Sequence, residues 1–346
     1  MRKCIILAVL IVSFAIPVGA LELSAPRVPE FAEEFMPEQP QNLAEGIRAV
    51  VIQALEHLRP DLKEASHVCI SITAAVMMLT LLRTLPGRNE KIADLAGVLS
   101  ISVLFLNASG SMVNLAADTV TQISEYGKLL LPVMTAAMAA QGGVTSSAAI
   151  YTATAIFDAL LGSLVSRVLV PMLYFYLALC VAGSAIGEDM LKKLRDAMRW
   201  LMTWILKTVL YLFTGYITVT GVVSGATDAS ALKAAKLTIS GVVPVVGGIL
   251  SDASEAILVS AGTVKNAAGV YGLFAVMAIW IGPFLKIGAH YLMLRMTGLF
   301  CSIFGGKTVS DLIQDFASAL GLLLGMTGAV CLMLLISLVC FMRGVG

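Results

Sequence analysis

Charge is the scarcest thing in this sequence. Asp, Glu, Lys and Arg make up 13% of its 346 residues, about half the ~25% that a water-wetted globular surface needs. A large soluble core does not account for the deficit, because its exterior would still need charged side chains. Neither sign is in excess, and a formal net charge of +1 leaves no basic footprint for a nucleic-acid partner. Histidine is almost absent: His57, His67 and His290 stand in no metal-ligand spacing. Cysteine is sparse too. Cys4 falls in the N-terminal leader, and Cys69, Cys180, Cys301, Cys331 and Cys340 are odd in number and widely spaced, which argues against a disulfide framework and for packing roles. Catalytic signatures are also missing, with no nucleophile elbow and no HExxH pair. The string FGGKT at 304–308 ends like a phosphate-binding loop, but Cys301 stands where the first glycine of that pattern belongs. The chain is therefore read as non-enzymatic, with no nucleotide or other cofactor expected.

What it has is apolar length. Hydrophobic residues reach 58% and the mean hydropathy is +0.91. Gly, Ala, Ser and Thr are plentiful while aromatics are held to 7%, a mixture suited to helices packing closely in lipid. Residues 1–20 read as a signal peptide: Arg2 and Lys3 precede an apolar run, and Val18, Gly19 and Ala20 supply small residues for cleavage. An uncleaved anchor is the alternative, and both readings put residue 21 outside the cytoplasm. Residues 21–66 form an acidic extracytoplasmic segment, Pro-broken and solvated as far as Pro40. From 43 to 62, Leu43, Ile47, Val50, Val51, Ala54, Leu55 and Leu58 recur at helical spacing, which predicts an amphipathic surface helix.

Residues 67–346 read as a polytopic membrane domain. About 20 apolar residues span a bilayer, and the runs 68–85, 95–113, 168–187, 208–227, 266–285 and 316–342 qualify. Positive residues collect after the first, third and fifth runs: Arg83, Arg88 and Lys91, then Lys192, Lys193, Arg195 and Arg199, then Lys286, Arg295 and Lys307. The positive-inside rule places all three clusters in the cytoplasm. Residues 187–200 are amphipathic and are expected to ride the inner membrane surface, with Trp200, Trp204, Tyr271, Trp280 and Tyr291 as interfacial anchors. Lys286 and His290, one turn apart, read as a snorkelling pair at a helix end. The fold class is all-α, a polytopic integral membrane protein with six transmembrane helices plus amphipathic surface helices. The number becomes eight if the uncharged, weakly apolar stretch 129–157 is a membrane hairpin rather than a pair of helices outside the bilayer.

The segment 221–269 is polar and broken by Gly and Pro, and the charge pattern puts it outside. Gly221, Asp228, Lys233, Lys236, Pro244, Gly247, Gly248, Asp252, Lys265 and Asn266 are candidates for a polar path or a partner surface, since broken backbone at membrane depth needs protein or water around it. The plainer alternative is helix capping, with Asp252 and Glu255 in a capping-box spacing, plus solvated charge. Gly321, Gly325 and Gly328 form a small-residue stripe in the last span, for packing within the chain or against a second subunit.

Residues 214–272 closely resemble the stage III sporulation protein AE family. The positions that carry the likeness are Gly221, Asp228, Lys233, Lys236, Pro244, Gly247, Gly248, Asp252, Ala253, Lys265, Asn266 and Gly269, and the order of hydrophobic spans follows the family as well. The resemblance implies a subunit of a channel or secretion-like complex linking mother cell and forespore and needed for forespore development. It also implies other stage III sporulation membrane proteins as partners, and the mother-cell-derived outer forespore membrane as the location. On the residues alone a secondary transporter for a small solute is the alternative, with the stretches 129–157 and 236–251 as a loose hint of two broken halves.

The charge pattern makes a direct expectation. Cysteines introduced at Glu34 and Asp252 react with a membrane-impermeant maleimide in intact cells, whereas those at Arg88, Lys193 and Lys307 react only after permeabilisation. Labelling of position 193 in intact cells reverses the orientation.

Overall fold

A chain with so little charge must satisfy its backbone internally wherever it meets lipid, and the α-helix does this within one segment. The computed structural model describes residues 25–37, 43–83, 90–242, 247–304 and 307–343, with side chains placed throughout these except at 82–83, 90–94, 221–242, 247–261, 264, 304 and 307. The described residues hold helices and turns with no strand. A short α1 (Glu30–Glu33) precedes α2 (Leu43–Arg83), α3 (Glu90–Ala140), α4 (Val144–Leu164), α5 (Val170–Ile186), α6 (Asp189–Val242), α7 (Gly247–Phe304) and α8 (Lys307–Arg343). Helices α4 and α5 are one rod joined by a π turn at Val165–Leu169. Pro171 explains the turn: it has no N–H for the carbonyl of Arg167 and its ring crowds that carbonyl, and the wider turn relieves the clash.

Six helices are long and apolar enough to cross a membrane, and they lie in Leu43–Leu81, Leu95–Ala140, Val144–Ile186, Asp189–Thr220, Lys265–Ile303 and Thr308–Arg343. The fold is all-α and polytopic, as the hydrophobic runs predict, but the helices are far longer than those runs. The 46 residues of Leu95–Ala140 extend about 69 Å at 1.5 Å per residue, against a hydrocarbon core of about 30 Å.

Contacts fix how the rods run. Helix α2 lies parallel to α7, with Gly46 against Phe274 and Asp61 near Lys286. Helix α3 is antiparallel to α7, where Leu130 meets Gly272 and Gln141 meets Gly262. It is parallel to α8, where Phe105 stacks on Phe316 at 4.5 Å and Gly127 approaches Leu334. Helix α8 folds back on α7 through Gly298 and Gln314, Gly321 and Tyr291, and Gly269 and Met342. The start of α2, the turn at 141–143 and the end of α8 lie toward one end of the bundle, and the ends of α2, α5 and α7 lie toward the other.

Several expectations change. The stretch 129–157 is not an added pair of crossings: it is the meeting of α3 and α4, closed by Gly142 at φ 91°, with the Gly143 N–H donating to the Met138 carbonyl at 3.1 Å. Among the described residues the helices long and apolar enough to span number six. Residues 43–62 and 187–200 are not separate surface helices, because both continue without interruption into the rods α2 and α6. At the second of these, Gly187 adopts φ 78° and its N–H closes on the Gly183 carbonyl, so α6 turns straight back along α5. The acidic head is not solvated throughout. Val28, Ala32 and Phe35 are buried, Tyr126 donates to the Pro26 carbonyl at 3.3 Å, and Phe35 makes an edge contact with His57. Of the expected interfacial anchors, Trp200 and Trp204 are exposed and stacked, whereas Trp280 and Tyr291 pack against the core. The leader, residues 1–20, lies outside the described residues. The described cysteines are all free, four buried and Cys340 half-buried.

Close approach at Gly272 gives a stability test. A Cβ there would fall 2.4 Å from Leu130 Cδ2, and Leu130 is fully buried. Gly272→Val is expected to lower stability by about 1–3 kcal/mol, read as unfolding of the purified protein in detergent micelles. Gly288→Ala, where an added Cβ meets nothing within 4 Å, is expected to be neutral or slightly stabilising.

Candidate functional site

The segment singled out by its composition is helical in its described residues. Gly221, Asp228, Lys233 and Lys236 lie on the continuous backbone of α6, and Gly247, Gly248 and Asp252 lie in the first turns of α7. Pro244 lies outside the described residues. Residues 243–246 lie outside the described residues, and Gly247 and Gly248 are helical. Asp252 is the sixth residue of α7, so it is not the helix cap that its spacing from Glu255 suggested, and Asp228 is far inside α6. Lys265 is buried at 3% exposure, Asn266 is exposed, and a Cβ on Gly269 would fall 2.6 Å from Met342 Cγ.

The segment does not stand alone. Gly262 sits against the Gln141 side chain of the α3–α4 turn, and Gly269 against Met134 and Met342. The two stretches that stood out as weakly apolar, 129–157 and 221–269, thus meet at one end of the bundle. The glycines of α8 divide: Gly321 faces the Tyr291 ring and Gly325 faces Leu206, while a Cβ at Gly328 would meet nothing. The first two pack within the chain.

Three polar groupings inside the bundle escaped the sequence reading. In the first, Lys286 reaches Glu64 at 2.9 Å and Asp61 at 3.6 Å, and the His290 Nδ1 lies 3.0 Å from the Lys286 carbonyl. This overturns two expectations. Lys286 is not at a helix end, since α7 continues to Phe304. Nor can it be cytoplasmic while Asp61 and Glu64 are outside, because the three form one ion-paired group. In the second, toward the end of the bundle where α5 and α7 finish, Arg195 forks between Asp196 Oδ1, at 2.9–3.0 Å, and Asp315 of α8. Tyr176 of α5 donates to the Asp315 carbonyl at 3.2 Å. A polar cleft of about 340 Å³ opens here, lined by Lys192, Arg195, Thr308, Asp311, Gln314 and Asp315. In the third, Ser124 of α3 donates to Asp158 of α4 at 2.9 Å, and one turn away Thr154 and Ser337 hydroxyls lie 2.7 Å apart.

One signal was legible for the third grouping: Asp158 is the sole charged residue between Lys128 and Arg167. The other two depend on helices distant in sequence and left no local trace. Chemically, all three tie helices together. Among the described residues no three His, Cys, Asp or Glu side chains gather closely enough to hold a metal ion.

A family model described as stage III sporulation protein AE matches residues 32–344. The stage III sporulation protein AE of Bacillus subtilis (strain 168) is 21% identical over 249 residues, covering 72% of this chain and 62% of that protein. The matched stretch therefore spans less than two thirds of the relative. No solved structure matches the chain.

The two ion-paired groups differ in enclosure, which sets their expected contributions. Arg195 and Asp315 side chains are 18% and 14% exposed, and Asp315→Ala leaves the guanidinium with Asp196 alone, at a cost of about 1–3 kcal/mol. Lys286 and Glu64 are 32% and 51% exposed, and Lys286→Ala is expected to cost about 1 kcal/mol or less. Unfolding in detergent micelles measures both. The double variant Arg195→Ala, Asp315→Ala should lose less than the sum of the single changes.

Proposed function

This chain belongs to the stage III sporulation protein AE family, and from that premise we propose that it is a non-enzymatic subunit of a channel-like membrane complex linking mother cell and forespore. Its multi-pass helical body and its role in sporulation are the ground for this reading. The observation that carries it is the family match over nearly the whole six-helix body. In the proposal the protein resides in the mother-cell-derived outer forespore membrane and assembles with other stage III sporulation membrane proteins. The segment 221–269 of α6 and α7 is its partner surface or polar path. Support comes from the base of that segment on α7, where Gly262 sits against Gln141 of the α3–α4 turn. Helices of this length reach well past the hydrocarbon of one bilayer, which suits a body that meets partners outside the lipid.

Co-purification from sporulating cells tests the reading. Partner membrane proteins recovered in constant ratio support a subunit, and solute uptake by the purified protein alone in liposomes would replace it with a transporter. Lys236→Glu and Asp252→Lys are expected to lower sporulation severalfold at parent-like membrane levels, while Glu33→Lys has a smaller effect. Normal sporulation by both of these segment variants would make the segment a linker.

A further inference from the structure

We propose that Asp158 and Ser124 form a proton-binding site in the interior of the bundle. Asp158 is 5% exposed, its carboxyl accepts from the Ser124 hydroxyl at 2.9 Å, and the exposed Lys128 is the cation whose charge is felt there. An ionised carboxylate removed from water without a cationic partner is among the costliest groups a protein interior holds. Such a group is paired with a cation, coordinates a metal, or takes a proton.

The surroundings decide among these. Helix α3 contributes Ser124, with Lys128 one turn on and Glu125 beside it; both charged residues are exposed, and no ion pair joins Asp158 to a basic group among the described residues. Helix α8 contributes Ser337 and carries no charged residue from 316 to 342. Helix α6 brings Phe213, stacked edge-on against Phe157 at 5.4 Å, and has no charge from 208 to 220. Helix α4 itself has no other charge before Arg167. A hard metal cation would want a cage of about six oxygens, and one hydroxyl is not a cage. A proton asks for much less. It joins one carboxyl oxygen, cancels the charge, and leaves the other oxygen to accept from Ser124.

A second polar pair lies close by. One turn along α4, Thr154 Oγ donates to the Ile150 carbonyl at 2.8 Å and Ser337 Oγ to the Met333 carbonyl at 3.1 Å, and the two hydroxyls also meet at 2.7 Å. Two hydroxyl protons serve three contacts, so the pair has alternative hydrogen-bonded arrangements. Residues four apart on a helix have Cβ atoms about 5–6 Å apart, which sets this pair next to the acid. The site goes beyond the subunit reading and stands whether or not that reading holds.

Infrared spectroscopy of the purified full-length protein in lipid, compared in water and heavy water at neutral pH, tests it. The expected result is a carboxylic-acid C=O band that Asp158→Asn removes, and that Ser124→Ala moves to higher frequency as one hydrogen bond to the carbonyl is lost. Absence of the band at neutral pH, its survival in Asp158→Asn, or its removal when sodium replaces choline would overturn the proposal. Should Asp158→Asn fail to accumulate, the Ser124→Ala spectrum decides, because an unshifted band places the acid elsewhere.

Discussion

Helices α7 and α8 meet along most of their length, and the other rods are laid on that pair. In lipid, helices gain little from the hydrophobic effect on meeting one another, so close van der Waals contact must hold them. Small residues supply that closeness here. Gly269 lies under Met342, Gly298 under Gln314 and Gly321 under the Tyr291 ring. The central pair is also the most enclosed, with 56% and 61% of their most apolar stretches buried against 22% for α2. Phe274 and Ile279 on one side and Phe316 and Leu334 on the other, all buried, then give α2 and α3 surfaces to follow.

Long apolar rods face a register problem, because neighbouring turns of Leu, Val and Ala offer similar contacts. The polar groupings answer it at three heights. Lys286 ties α7 to α2, Asp158 and Thr154 tie α4 to α3 and α8, and Arg195 ties α6 to α8. Sliding any of these helices by one turn would strand a charge or a hydroxyl in an apolar interior, at a cost of several kcal/mol for a charge. Such contacts add little to net stability but select one alignment among many.

Family membership gives this architecture a setting in sporulation. Of the residues that carried the family likeness, Lys265 and Gly269 are packed into the bundle, whereas Asn266 is exposed.

Composition and period determined a good deal by themselves: a membrane-embedded all-α chain with six apolar runs long enough to cross a bilayer. These follow from a local rule, since about twenty apolar residues make a span. Tertiary structure alone decided the rest. It extended 43–62 and 187–200 into the rods beside them, because a helix once started continues while its neighbours cover it. It also set Lys286 against Asp61 and Glu64, against the charge rule that had sent Lys286 to the cytoplasm. That rule reads charges one at a time along the chain, whereas a charge in a bundle is placed by its partner on another helix. The pairing of Asp158 with Ser124 across 34 positions belongs to the same class: no local pattern encodes it, and only the packing of α3 on α4 brings it about.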